Sequence, residues 1–231
     1  MKLEREFDGF AETYQADLNQ ALAVSGETGD HFARERVKWL ATQLSRLGEK
    51  ALRVVDYGCG VGGTAPILEE TLGAEFVLGL EVSPRSLEVA RSRFSSSARQ
   101  FLSFSEATPR GDIDVVYCNG VFHHIPLDER PAAVDYVYRL LRPGGIFALW
   151  ENNPWNPGTR YVMSQCVFDR DAETLNVREG SRLVARQGFQ ILRRDFLFVF
   201  PAALRGLRFL EPAVCSIPLG AQYQVLCRKP R

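Results

Sequence analysis

Long hydrophobic runs, paired cysteines and net charge are all missing from this 231-residue sequence. The longest nearly uncharged apolar stretch, FLFVFPAAL at 196–204, is far short of the roughly 20 residues a membrane-spanning helix needs. The leading MKLEREFDGF is charged from its second residue and has neither an apolar segment nor a small-residue cleavage site, so export is not expected. Five cysteines, Cys59, Cys118, Cys166, Cys215 and Cys227, are odd in number and widely spaced without a CxxC pair. That pattern argues against a disulfide framework and against a zinc site, so a cytoplasmic protein without metal is expected. Lysine plus arginine (28) equals aspartate plus glutamate (28), where a nucleic-acid binder would be strongly basic.

The neutrality conceals an uneven spread. Residues 1–30 hold two bases against seven acids, whereas residues 178–231 hold ten bases against Glu179, Asp195 and Glu211. An excess of this size can attract an anionic small molecule or an acidic lipid surface. Apolar residues make up 45% of the chain, enough to fill the core of one large α/β domain.

Apolar runs alternate with helical patterns in βα order, which implies a parallel sheet. The expected strands are 52–57, 75–81, 100–105, 113–119 and 145–151, whose continuous hydrophobicity suits burial on both faces. Helices are expected after Gly63, after Pro84 and from Asp128 to Leu141, the last ending ahead of Pro143-Gly144-Gly145. A further helix over about 171–187 leads to GFQILRRDFLFVF and then AQYQVLCRK, a sixth and a seventh strand.

The stretch VVDYGCGVGG, residues 54–63, reads as a buried strand entering a glycine-rich turn. Gly58, Gly60 and Gly63 satisfy GxGxxG, a pattern that commonly brings backbone amides to a dinucleotide pyrophosphate. Asp56 complicates that reading, because a carboxylate at the strand end repels phosphate but attracts an ammonium or ribose hydroxyls. Glu81 ends the second strand 25 residues later, where a doubly wound fold places an acid for ribose. Glu106 and Asn119 close the third and fourth strands. A dinucleotide leaves Asp56, Glu106 and Asn119 without a task, whereas an adenosyl ligand with an amino-acid tail uses them all.

These residues resemble the class I S-adenosylmethionine-dependent methyltransferases. VVDYGCGVGG, GLEVS, NGVFHHIP and LRPGG occur in the family's order over residues 50–151, and FDGFAETY at 7–14 is similar to a segment of small-molecule members such as the quinone-biosynthesis enzymes. The resemblance implies an α/β three-layer Rossmann-like sandwich with a mostly parallel seven-stranded sheet, order 3-2-1-4-5-7-6, last strand antiparallel. It implies one domain over 1–231: a helical cap (1–48), a cofactor-binding core (49–151), and substrate-side elements with the last two strands (152–231). It also implies S-adenosylmethionine as cofactor. Carried over, Asp56 holds the methionine ammonium, Gly58, Cys59 and Gly60 form the cofactor loop, and Glu81 takes the ribose hydroxyls. Val82, Glu106 and Ala107 face the adenine, Asn119 and Gly120 line the methionine side, and Tyr14 closes over the carboxylate, with Arg36 as a competing partner for it.

Methyl transfer from a sulfonium is an in-line displacement accelerated largely by positioning. A base is required only for a hydroxyl or acidic carbon acceptor, and His124, His31 and Glu151 are candidates for that role. His123 is expected to pack or cap its loop. In 200–220, Leu204, Leu207, Leu210 and Val214 recur at helical spacing, with Arg205 and Arg208 flanking the stripe. This segment is a candidate wall of a pocket for a small-molecule or lipid-like, anionic acceptor, with peripheral membrane contact. Three alternatives stand beside methyl transfer to a metabolite. An NAD(P)-dependent oxidoreductase would use the glycines differently, and a non-catalytic S-adenosylmethionine-binding module would lack turnover. A nucleic-acid amino-methyltransferase would carry its NPPY-like motif after the fourth strand, whereas here Asn152-Asn153-Pro154-Trp155 follows the fifth.

Overall fold

The computed structural model describes residues 8–9, 13–169 and 172–231, without the side chains of Tyr14, Gln15 and Phe168. Half of FDGFAETY, residues 7 and 10–12, therefore lies outside the described residues. In chain order the elements are α1 (Tyr14–Leu22), α2 (Gly29–Leu47), β1 (Arg53–Tyr57), α3 (Ala65–Leu72), β2 (Phe76–Glu81), α4 (Pro84–Phe94), β3 (Arg99–Ser103) and β4 (Ile113–Asn119). They continue with α5 (Arg130–Leu140), β5 (Leu141–Asn152), α6 (Pro157–Gln165), α7 (Val177–Arg186), β6 (Gln190–Leu197), a 3-10 segment (Ala202–Leu210) and β7 (Gln222–Arg228).

The strands form one seven-stranded sheet in the order β3-β2-β1-β4-β5-β7-β6. β1 to β5 are mutually parallel, and β7 runs antiparallel to both β5 and β6. Alternation along each strand feeds two cores. Val54, Val115, Tyr117, Ile146, Ala148 and Trp150 pack on one face, where Val37, Leu40 and Leu44 of α2 cover them. Val55, Val116, Cys118, Phe147 and Leu149 pack on the other, under Val134 and Val137 of α5 and Val184 of α7. Full burial of one such aliphatic side chain contributes roughly 1.5–3 kcal/mol. This is the α/β sandwich expected from the continuous apolar strands.

Local chemistry sets the helix ends. Thr28 caps α2 by accepting from the His31 amide, and Gly48 ends it in the left-handed conformation. Ser83 caps α4 in the same way, with Pro84 in its first turn. α5 stops at Leu140 and the chain is extended from Leu141, sooner than the glycines implied. Pro143 contributes by keeping Arg142, the residue before it, out of the α region, so the helix cannot run on to the glycines. α7 starts at Val177 rather than near 171, because Asn176 and Glu179 form a capping box there. α6 was not foreseen, although Asn156 accepts from the Thr159 amide and Pro157 follows it. The amphipathic stripe of 200–220 is not one continuous α-helix: a 3-10 segment, kinked where Leu204 leaves helical geometry and with no residue of Ala202–Leu210 buried, is followed by a four-residue α-helix, Glu211–Val214. Pro201, Gly206 and Pro212 fragment it. Among the described residues no helix is long and apolar enough to cross a membrane.

Candidate active site

The carboxyl ends of β1, β2 and β4 open into a cavity of about 920 Å³, near the upper limit of roughly 300–1,000 Å³ for small-molecule sites. Its floor is the glycine turn. The Gly58 and Cys59 amides both donate to the Leu80 carbonyl (2.8 and 3.0 Å), tying the turn to β2. Gly58 has φ 73°, and a Cβ there would lie 2.4 Å from Val121 Cγ2, so only glycine fits. Gly60 also has positive φ (53°), but its Cβ direction is open space at the cavity wall. A ligand can therefore approach that backbone closely.

Asp56 is buried one residue before this wall, paired in register with Tyr117. Among the described residues its Oδ2 has no hydrogen-bond partner, and neither does the buried Oδ1 of Asn119. Burial, with the nearby Glu81 charge, pushes Asp56 up to about 7 while Arg36 pulls it down. Buried acceptors are ordinarily paired, so two orphans beside one cavity mark places for an incoming donor. Glu81 is differently provided. Its Oε2 accepts from the Gly60 amide (2.9 Å) and its Oε1 from the Val82 and Ser83 amides (2.8 and 3.0 Å). Burial raises its pKa against those three bonds. About four lone-pair sites belong to a carboxylate, so roughly one remains for a ligand hydroxyl.

Tyr57, Val82 and Phe104 line the cavity near the turn, the Tyr57 and Phe104 rings meeting edge-on at 4.8 Å. Phe104 was not singled out from the sequence, where an aromatic after an apolar strand looks like core. Besides Asp56, which lies behind the wall, three expected cofactor residues are absent from the cavity lining. Glu106 is exposed and closed onto its own loop, accepting from the Ser103 amide (2.7 Å) and pairing with Arg91 (3.0 Å). Those contacts, the Ser103 bonds first, lower its pKa. Ala107 turns its carbonyl to the Tyr136 hydroxyl (2.9 Å). The Cys59 thiol is buried, and burial together with the Asp56 and Glu81 charges raises its pKa. Tyr14 starts α1, but its side chain lies outside the described residues.

The opposite end of the cavity is built from side chains. His123 Nδ1 lies 2.6 Å from Glu151 Oε2, and its Nε2 lies 3.3 Å from Asp169 Oδ1. Glu151 Oε1 also accepts from the Val121 and Phe122 amides (3.2 and 2.8 Å). Burial works against a charge on His123, but Glu151 and Asp169 outweigh it and hold the ring protonated up to about 10. His124 Nε2 stands 3.4 Å from the same Asp169 oxygen. Burial and the charge of His123 lower His124 to about 3, leaving its imidazole neutral. Glu151 is 1% exposed and wholly engaged, which removes it from contact with a substrate. Asp169 was missed, because VFDRDAET carries no pattern that joins it to residues 123 and 124.

Residues from α2 and the 200–220 segment form the outer wall. Arg36 donates to the Tyr117 hydroxyl (3.0 Å) and to Gln222 Oε1 (2.8 Å). His31 lies 3.7 Å from Glu27 and 3.4 Å from Arg208. Arg208 donates to Glu27 (2.7 Å) and the Phe200 carbonyl (3.1 Å), so it braces the wall from within instead of flanking an exposed stripe.

Sheet order, glycine turn and acidic strand ends together define the fold of the class I S-adenosylmethionine-dependent methyltransferases. Residues 55–147 match the family described as "Methyltransferase domain". It is similar to the trans-aconitate 2-methyltransferase of Methylobacterium radiotolerans, with 31% identity over 135 residues, 58% of this chain and 49% of the relative. The chain thus spans about half the length of the curated relatives it matches. Among solved structures, it shares its fold with an S-adenosylmethionine-dependent methyltransferase from Mesorhizobium loti (TM-score 0.57, 21% identity, 78% of this chain and 91% of that one). It also does so with a chain of the complex between the Haloferax volcanii Trm112 methyltransferase activator and a putative methyltransferase (TM-score 0.66, 19% identity, 97% and 98% covered).

Proposed function

We propose that this protein transfers the methyl group of S-adenosylmethionine to a small anionic acceptor, a polycarboxylate being the first choice. The observation that carries the reading is the pair of orphaned buried acceptors, Asp56 Oδ2 and Asn119 Oδ1, beside the open side of Gly60. They fit an ammonium and its neighbouring polar groups, and a phosphate would be repelled. In this reading Asp56 orients the ammonium, Glu81 offers its remaining lone pair to the ribose, and Tyr57, Val82 and Phe104 enclose the adenine. Glu106, Ala107 and Cys59 take no direct part. S-adenosylmethionine supplies a sulfonium-bound methyl group open to in-line displacement, and the chain contributes position and exclusion of water.

The polycarboxylate rests on the trans-aconitate 2-methyltransferases among the relatives and on the cationic Arg36 and Arg208 of the outer wall. An ionised carboxylate attacks without losing a proton, so neither His31 nor His124 has to act as a base, and Glu151 positions His123. Residues 1–48 then cap the site, 49–151 hold the cofactor and 152–231 complete the acceptor side. The five buried cysteines form no disulfide among the described residues, which supports a reducing, cytoplasmic setting.

Mass spectrometry of an acceptor panel tests this. A polycarboxylate gaining one methyl group, with phenols and amines inert, is the expected result, and methylation of amines alone overturns the acceptor class. A second reading follows from Leu204, Leu207, Phe209 and Leu210, all exposed, Phe209 to 75%, beside cavity-lining Arg208. They suit an amphipathic acceptor. Preference for lipid-like over fully polar acceptors, with association to anionic vesicles, would favour it.

A further inference from the structure

The acceptor side leaves a cluster that a carboxylate acceptor does not need for proton transfer. We propose that His123, His124 and Asp169 form a binding site for a divalent transition-metal ion, zinc foremost, that holds an acceptor oxygen. One ligand atom from each residue lies within 4.8 Å of the others. Zinc bonds of about 2.0–2.2 Å in tetrahedral geometry place ligand atoms roughly 3.3–3.5 Å apart. His123 Nε2 and His124 Nε2 stand 3.3 and 3.4 Å from Asp169 Oδ1, which matches two of the three edges of such a ligand set, the third lying within 4.8 Å.

A second, independent observation is the support behind the cluster. Metal-bound histidines commonly donate their other ring nitrogen to a carboxylate. Glu151 occupies that position at 2.6 Å from His123 Nδ1, and the Val121 and Phe122 amides fix it there. This turns His123 Nε2 toward Asp169 and His124, and the ion takes the place of the Nε2 proton, which leaves to solvent. Two imidazoles and two carboxylates neutralise a divalent ion, and nitrogen with oxygen ligands suits zinc, iron or manganese more than calcium.

All three ligands line the cavity. Three protein ligands leave one coordination position for a small molecule, the arrangement of reactive rather than structural sites. The role rests on the proposed methyl transfer: the ion takes one carboxylate or hydroxyl oxygen of the acceptor and so orients it toward the cofactor. A bound hydroxyl would lose its proton to solvent more readily, widening the acceptors to alcohols. No electron changes hands.

The full chain, stripped with chelator, is titrated with Zn²⁺ by calorimetry and loaded with Co²⁺ for visible absorption. One ion per chain and the intense bands of four- or five-coordinate cobalt are expected. His124→Ala and Asp169→Asn should each weaken binding at least tenfold, Glu151→Gln roughly 10–100-fold, and His31→Ala not at all. Circular dichroism checks the folding of each variant, and the wild-type cobalt spectrum needs no variant. Absence of uptake, or uptake that His124→Ala and Asp169→Asn leave unchanged, overturns the site. S-adenosylhomocysteine binding by the stripped protein is read alongside. If it persists without metal uptake, only the metal site falls, whereas its absence from the wild type removes the methyltransferase reading.

Discussion

The two ends of the cavity are polar for opposite reasons. At the glycine turn, backbone amides hold Glu81, while Asp56 Oδ2 and Asn119 Oδ1 are buried without partners. At the far end, Glu151, His123, Asp169 and His124 satisfy one another. One end has polar capacity in reserve, and the other has placed its charges in a closed cluster. An unpartnered buried carboxylate raises the energy of the empty protein and is repaid when a cation arrives. A paired cluster stabilises the chain by itself.

The largest effect should come from breaking the closed cluster. Glu151→Ala leaves His123 buried without its main counter-charge, a loss of about 3–5 kcal/mol in denaturant unfolding at neutral pH. The cluster's own pH dependence follows from His123, whose folded-state pKa of about 10 exceeds its unfolded value of about 6.5. Its stabilisation is complete below about 6.5 and should disappear as pH rises through 10, so wild-type stability should fall over that window more steeply than that of Glu151→Gln.

Asp56→Asn should have the opposite sign on stability. The Asp56 pKa is raised on folding, so ionisation penalises the fold, with the full penalty above about pH 7. The ligand-free variant should gain about 1–3 kcal/mol at pH 8, while affinity for S-adenosylhomocysteine falls roughly tenfold or more, measured by calorimetry. A destabilised variant with unchanged affinity would erase the contrast between the two ends.

A milder probe is pH alone. Binding an ammonium requires the Asp56 carboxylate, so S-adenosylhomocysteine affinity should decline below about pH 7, by up to about tenfold per unit, with proton release detectable in buffers of different ionisation enthalpy. Affinity that stays flat from pH 5 to 8 would assign the ammonium elsewhere. The smallest effect belongs to Glu106→Gln, which should alter S-adenosylhomocysteine affinity less than about twofold, since that side chain is exposed and tied to Ser103 and Arg91.

The same contrast explains what could be read from the sequence. The glycine end is local: strand, turn and acid recur within 54–63 and at 81, so periodicity and spacing expose them, whereas the sheet order came only from the family resemblance. Glu106 was misplaced because its number along the chain matched a family position, whereas its conformation is set by hydrogen bonds to Ser103 that spacing does not reveal. The far end joins residues 28 and 46 positions apart. No local pattern links 123 to 151 and 169, and only tertiary packing brings them together. The 200–220 stripe failed for another reason. Its leucines keep helical spacing, but Pro201, Gly206 and Pro212 prevent the helix that the spacing implies.

β7 bears on how the chain is made. It is the final strand in sequence, yet it lies inside the sheet, with β5 on one side and β6 on the other. During synthesis the first five strands can assemble as they emerge, but the exposed edge of β5 has no neighbour until residue 228 has cleared the ribosome. β6 has no place to dock before then. An unpaired strand edge invites pairing with another nascent chain, so the emergence of Gln222–Arg228 is the step that closes this edge against other copies. A chain cut before Gln222 should aggregate, even though every residue matched by the family model would still be present.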